Sequence, residues 1–167
     1  MKAFTEDESF NSFIELEEWK NYFKNDLNTL HFRLGGEMTV EEMSKNYEKG
    51  LNYLKDQQKL ILTVILSELI KRYPKWQEQY GYNDDEKIEI MPDIIDLNDF
   101  SNLILPVKIQ ILPVFKDGFP YMGYEFKCSW DEEHGLGIMM FKDRIVKIGG
   151  VDTSFLIWIA EDDMELE

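Results

Sequence analysis

The sequence predicts an α+β fold: an antiparallel sheet, formed by a C-terminal four-stranded meander plus N-terminal strands, packed against a long central helical segment. Three observations carry this prediction. Apolar residues recur at every second position through much of 107–148, at every third or fourth position from Met43 to Leu54 before an almost wholly apolar run to Ile70, and again at alternate positions in 30–34. Alternation places one side-chain set on one face of a strand, whereas the longer step lines one side of a helix. Gathering helices on one face of an antiparallel sheet buries both patterns together. The 167 residues fit a single domain over 1–167, with 1–10 and 161–167 expected to be flexible.

Along the chain, the first ten residues offer only Phe4 and Phe10 as apolar anchors, so order is expected from Phe13. In 13–23, the alternation of Ile14 and Leu16 suits a half-buried strand, with a short helix as the competing assignment. Leu30, Phe32 and Leu34 alternate with His31 and Arg33 before the Gly35-Gly36 turn, which reads as a second strand. Thr39 followed by Glu42 has the form of a capping box, and Met43, Tyr47, Leu51 and Leu54 continue it at helical spacing. The run from Leu60 to Ile70 is apolar on nearly all sides, as in a helix buried on several faces, and Pro74 is expected to end it. Gly50 and Asp56 favour two helices meeting at a kink within 40–73.

Residues 76–92 read as a loop that carries Trp76, Tyr80 and Tyr82 with Asp84, Asp85, Glu86 and Glu89. Asp96 or Asn98 can cap a short helix through Leu103. The meander then follows. Val107, Ile109 and Ile111 share a face of its first strand, and Tyr124, Phe126, Cys128 and Trp130 share a face of the next, across a Lys116-Asp117-Gly118 turn. Strands 137–141 and 144–148 meet at Lys142-Asp143, and Gly149-Gly150 ends the sheet. Asp152 or Ser154 can cap a last helix carrying Phe155, Leu156, Trp158 and Ile159, with the remaining EDDMELE solvated.

Charge narrows the function classes. Against 33 Asp and Glu stand 18 Lys and Arg, for a net charge of −15, which repels phosphate backbones and anionic lipid surfaces. Neither a nucleic-acid partner nor a membrane partner is expected. A basic protein, by contrast, would be steered toward such a surface. The single cysteine, Cys128, cannot form an internal disulfide, and it alternates with Tyr124 and Phe126 as a small buried hydrophobe does. The acidic start carries no apolar signal-peptide core, so a cytoplasmic location is expected.

The densest polar constellation is Trp130-Asp131-Glu132-Glu133-His134-Gly135, between two strands. Read as extended chain, it would place Asp131 and Glu133 on one side and Glu132 and His134 on the other. Asp131, Glu133 and His134 are the candidate metal-ligating or acid-base set, because a carboxylate beside an imidazole fixes its tautomer and supports proton transfer. The plainer reading is architectural: the carboxylates accept backbone N–H groups in a turn and His134 pairs locally. Trp130 suits either the core or a binding anchor. No phosphate-loop, dinucleotide, zincin or nucleophile-elbow pattern occurs, and no cofactor is predicted.

The stretch GYEFKCSWDEEHGLGIMMFKDRIVKIGG, continued by DTSFLIWIAEDD and preceded by MPDIIDLNDF and the helix at 60–73, resembles an uncharacterised bacterial domain family recognisable by its WDEEHGLG segment. That resemblance implies a small cytosolic bacterial protein, similar in size and acidity to immunity proteins encoded beside polymorphic toxins. It implies no catalytic residue. Two functions are thus expected to compete. One is an acidic interaction protein, immunity-like, that neutralises a basic partner such as a toxin. The other is a metal-dependent or acid-base enzyme centred on Asp131, Glu133 and His134.

Overall fold

The computed structural model describes residues 12–23, 30–34 and 40–166. The expectations for 1–10, for the Gly35-Gly36 turn and for the Thr39 cap lie outside them. The strands are β1 Ser12–Ile14, β2 Leu30–Leu34, β3 Ile104–Lys116, β4 Phe119–Cys128, β5 Leu136–Phe141 and β6 Arg144–Gly149. The helices are α1 Glu17–Phe23, α2 Val40–Asp56, α3 Gln58–Tyr80, α4 Asp84–Ile90 and α5 Ile157–Glu165, with short 3-10 helices at Leu97–Asn102 and Val151–Ser154. All six strands form one sheet in chain order, and β3 to β6 are the antiparallel meander that the alternation predicts. The α+β class holds. One junction is parallel, however: β2 pairs with β3 with His31 opposite Lys108, and α2, α3 and α4 make the crossover between them.

Segment 13–23 divides. β1 is a three-residue strand, and α1 then buries Trp19 and Phe23. The Trp19 indole N–H donates to the Gln58 carbonyl at 2.8 Å, where α2 gives way to α3, so the break between the two helices falls at Gln57, directly after Asp56, and not at Gly50. Gly50 lies inside α2 with its Cα side against the Pro120 ring.

Two further boundaries move. α3 runs through Pro74 to Tyr80, although an interior proline costs about 3 kcal/mol in an isolated helix. Contacts beyond the proline oppose that cost: Gln77 donates to the Met91 carbonyl and to Asp93, and Gly81, at φ +61°, closes the helix with its N–H on the Gln77 carbonyl. The supposed loop contains α4, which Asn83 caps by accepting the Glu86 N–H at 2.8 Å, with Asp84, Asp85 and Glu86 at the positive end of the helix dipole.

At Leu97–Asn102 the Asp96 capping box forms with Asp99 as its second member. β3 starts before Pro106, three residues earlier than the alternation suggests. Among the described residues β2 pairs with β3 from Lys108 onward, and the proline lies before that pairing, beside a register shift with β4.

The sheet buries both faces. Against one lie α1, α2 and α3, with Trp19, Leu54, Ile61, Ile65 and Leu69 packed on Ile109, Tyr124, Phe126 and Ile138. Against the other lies α5, with Ile159 and Ala160 on Leu112, Tyr121, Met139 and Phe141. Every residue of β5 is consequently buried. Helices gathered on a single face were therefore too simple an expectation.

The last helix starts at Ile157, after the 3-10 helix, and takes in most of the supposed tail. Asp163 holds it to the sheet by two hydrogen bonds from the Arg144 guanidinium, at 3.0 and 2.6 Å, and one from the buried Tyr121 hydroxyl at 2.7 Å. Among the described residues no helix is long and apolar enough to cross a membrane.

Candidate functional site

The six residues from Trp130 to Gly135 join β4 to β5 at the end of the sheet where α3 finishes. They are not extended. The Asp131 side chain accepts the His134 N–H at 3.0 Å, and its backbone carbonyl accepts the Gly135 N–H at 3.0 Å, which rolls the segment into a turn. Gly135 completes it at φ +64°. Strand alternation therefore does not apply, and Asp131 meets His134 three residues on, with Nδ1 3.1 Å from Oδ1. Ser129 anchors the approach by donating from Oγ to the Ile90 carbonyl, and the Tyr82 hydroxyl donates to the Trp130 carbonyl.

Each expected site residue has a definite place. Trp130 is 3% exposed and packs its indole edge to face with Tyr73 and beside Trp76, so it belongs to the core rather than to a presented anchor. The Asp131 side chain is 13% exposed and His134 69% exposed. Glu132 and Glu133 are exposed and make no hydrogen bond or ion pair with the described residues. Among those residues, no three His, Cys, Asp or Glu side chains converge as a metal ion requires. Cys128 is buried, its Sγ near the Asp131 carbonyl, and burial pushes its thiol up to about 11, away from thiolate chemistry.

Sequence reading missed Tyr80, which lies 51 positions before Asp131 and donates to its Oδ2 at 2.6 Å. Burial works against the Asp131 charge, but the Tyr80 hydroxyl and the N–H and imidazole of His134 outweigh it and hold the carboxyl below its ordinary range. The same bond, after burial itself, pushes the Tyr80 phenol up. With Nδ1 engaged by Asp131, Nε2 is the His134 nitrogen left for a proton or ligand.

A carboxyl held below its unfolded value contributes stability above that value and loses it as pH falls through the folded one. Stability is therefore expected to fall as pH drops below about 4, the ordinary aspartate value. Urea unfolding at neutral and acid pH should show this fall in the parent and a shallower one in Asp131→Asn. Equal slopes would show that Asp131 carries none of it.

Tyr80, Asp131 and His134 form a ridge between two open hollows. One, of about 490 Å³, lies between α3 and the end of β6 and is lined by Arg72, Trp76, Trp130, Gly149 and Asp152. The other, also about 490 Å³, lies beneath the start and end of α4, where Tyr82, Ile90, Glu132 and Glu133 line it with the ridge. Tyr80 and Tyr82 stack there with ring planes 3° apart and centroids 6.0 Å apart. The hydrogen bonds from Ser129 and Tyr82 thus bring the acidic helix α4 beside the acidic turn, a juxtaposition that sequence spacing did not reveal.

No curated protein and no solved structure gives a significant match to this chain. One family does match, described as a domain of unknown function (DUF6985), over residues 5–156. That span holds the sheet, α1 to α4, the turn and both hollows, and stops at the start of α5. Since the match takes in all but the two ends, the chain belongs to the DUF6985 family.

Proposed function

We propose that this protein is an interaction module that binds a basic protein, in the manner of a cytosolic bacterial immunity protein neutralising a cationic toxin. The observation that carries the reading is the surface of segment 84–99. α4 buries none of its side chains, and Asp84, Asp85, Glu86 and Glu89 surround Ile88, which is 72% exposed. A few residues on, Ile95 is 88% exposed beside Asp96, while Asp93 is paired with Lys87 at 2.9 Å and Asp99 accepts the Ile95 and Asp96 N–H groups. Large apolar side chains within an acidic rim combine desolvation with charge complementarity, the two ingredients of a protein interface. Glu132 and Glu133 extend the negative field from the neighbouring turn.

The test is capture from the native cell at about 0.05 M and about 0.5 M salt, since the higher ionic strength shortens the Debye length to a few Å. A basic protein retained at low salt and released at high salt is expected. Reversing three charges away from the helix N-terminus, with Glu89→Lys, Glu132→Lys and Glu133→Lys, should slow its association on the order of tenfold or more, with the thermal midpoint little changed. An unaltered association rate would remove the acidic surface from the interaction.

A further inference from the structure

The hollow under α4 has the chemistry of a socket for one cationic side chain, and we propose that it receives an arginine of the basic partner. This rests on the interaction reading above and specifies its anchor point. The walls are the stacked rings of Tyr80 and Tyr82, with Tyr80 40% exposed, and the rim carries the carboxylates of Glu132 and Glu133. Neither carboxylate is neutralised by a described neighbour, and among the described residues no lysine or arginine lines the space, where the one basic side chain is the imidazole of His134, itself turned to Asp131. The hollow beyond the ridge differs in this respect, because Arg72 stands in its wall.

Aromatic faces next to free carboxylates select a planar, weakly hydrated cation that can stack and hydrogen-bond together. A guanidinium meets both demands, whereas an ammonium is a compact, strongly hydrated point charge. The tyrosine rings are also fixed in advance: the Tyr80 hydroxyl is held by Asp131 and the Tyr82 hydroxyl by the Trp130 carbonyl. Little side-chain freedom remains to be lost on binding.

The probe is acetyl-arginine amide, titrated into the whole protein and followed by amide NMR. A saturable response confined to the residues around Tyr80, Tyr82 and 130–134 is expected, with an affinity on the order of millimolar. Acetyl-citrulline amide, of the same shape without the charge, should give none, and acetyl-lysine amide a weaker one. Glu132→Gln with Glu133→Gln, at exposed positions that leave the fold intact, should weaken arginine binding about tenfold. Absence of saturation, an equal response to citrulline, or full affinity in the glutamine variant would overturn the socket. Salt-dependent capture of a basic protein without probe binding would discard the socket alone. Probe binding without such capture would discard the interaction reading and leave the socket.

Discussion

Gly123→Ala is expected to cost about 3–5 kcal/mol or to prevent folding. Gly123 lies in β4 opposite Met139, and a Cβ placed on it would stand 1.6 Å from the Ser154 carbonyl oxygen and 2.5 Å from the carbonyl carbon. Those atoms are backbone and cannot rotate away. The reason lies in how the 3-10 helix Val151–Ser154 rests on the sheet: Gly137 of β5 repeats the situation, with a virtual Cβ 2.3 Å from the Gly150 oxygen. Two glycines on adjacent strands thus make a bed that a backbone segment fills, and any side chain there lifts the connection between β6 and α5. Gly81→Ala is the control, because it also replaces a glycine, at a left-handed helix cap where a Cβ would make only an ordinary contact, 3.8 Å from the Glu78 carbonyl oxygen, and should lose only about 1 kcal/mol. Urea unfolding of the two variants checks the difference. Similar losses in both would show that the 3-10 helix is not seated as described.

Trp130→Ala should cost about 3–5 kcal/mol, the range for removing a large aromatic from a packed interior. The Trp130 ring is 5.5 Å from Tyr73 and 6.1 Å from Trp76 between centroids, so its removal opens a void under both hollows. The effect is expected in stability first, with binding impaired only through the displaced turn. If the variant kept its unfolding midpoint but lost its partner, Trp130 would be an interface anchor and not a core residue. Because Ile88 and Ile95 are exposed instead, their replacement should show the opposite pattern, weaker capture at unchanged stability.

Much of this fold was legible because its signals are local. The meander follows from alternation in 107–148, and the Asp96 cap and the two tight turns follow from residues within a few positions of each other. α4 was equally local, since Asn83 precedes Glu86 by the three residues of a capping pattern, but the density of charge there resembled a linker. The turn at 130–135 was recognised as the main polar feature, yet its geometry was not, because Asp131 bends the chain back on itself and defeats the period of a strand.

What the sequence by itself determined is the α+β class, the meander, the two central helices and a net charge of −15. Tertiary structure alone decided that α3 would pass Pro74, that β2 would join β3 in parallel, that α5 would cover the second face, and that Tyr80 would reach Asp131. The division has a physical cause. Hydrophobic period and capping act within a turn or a strand and leave their mark in neighbouring residues, whereas these four outcomes depend on side chains far apart in sequence whose packing outweighs local preference.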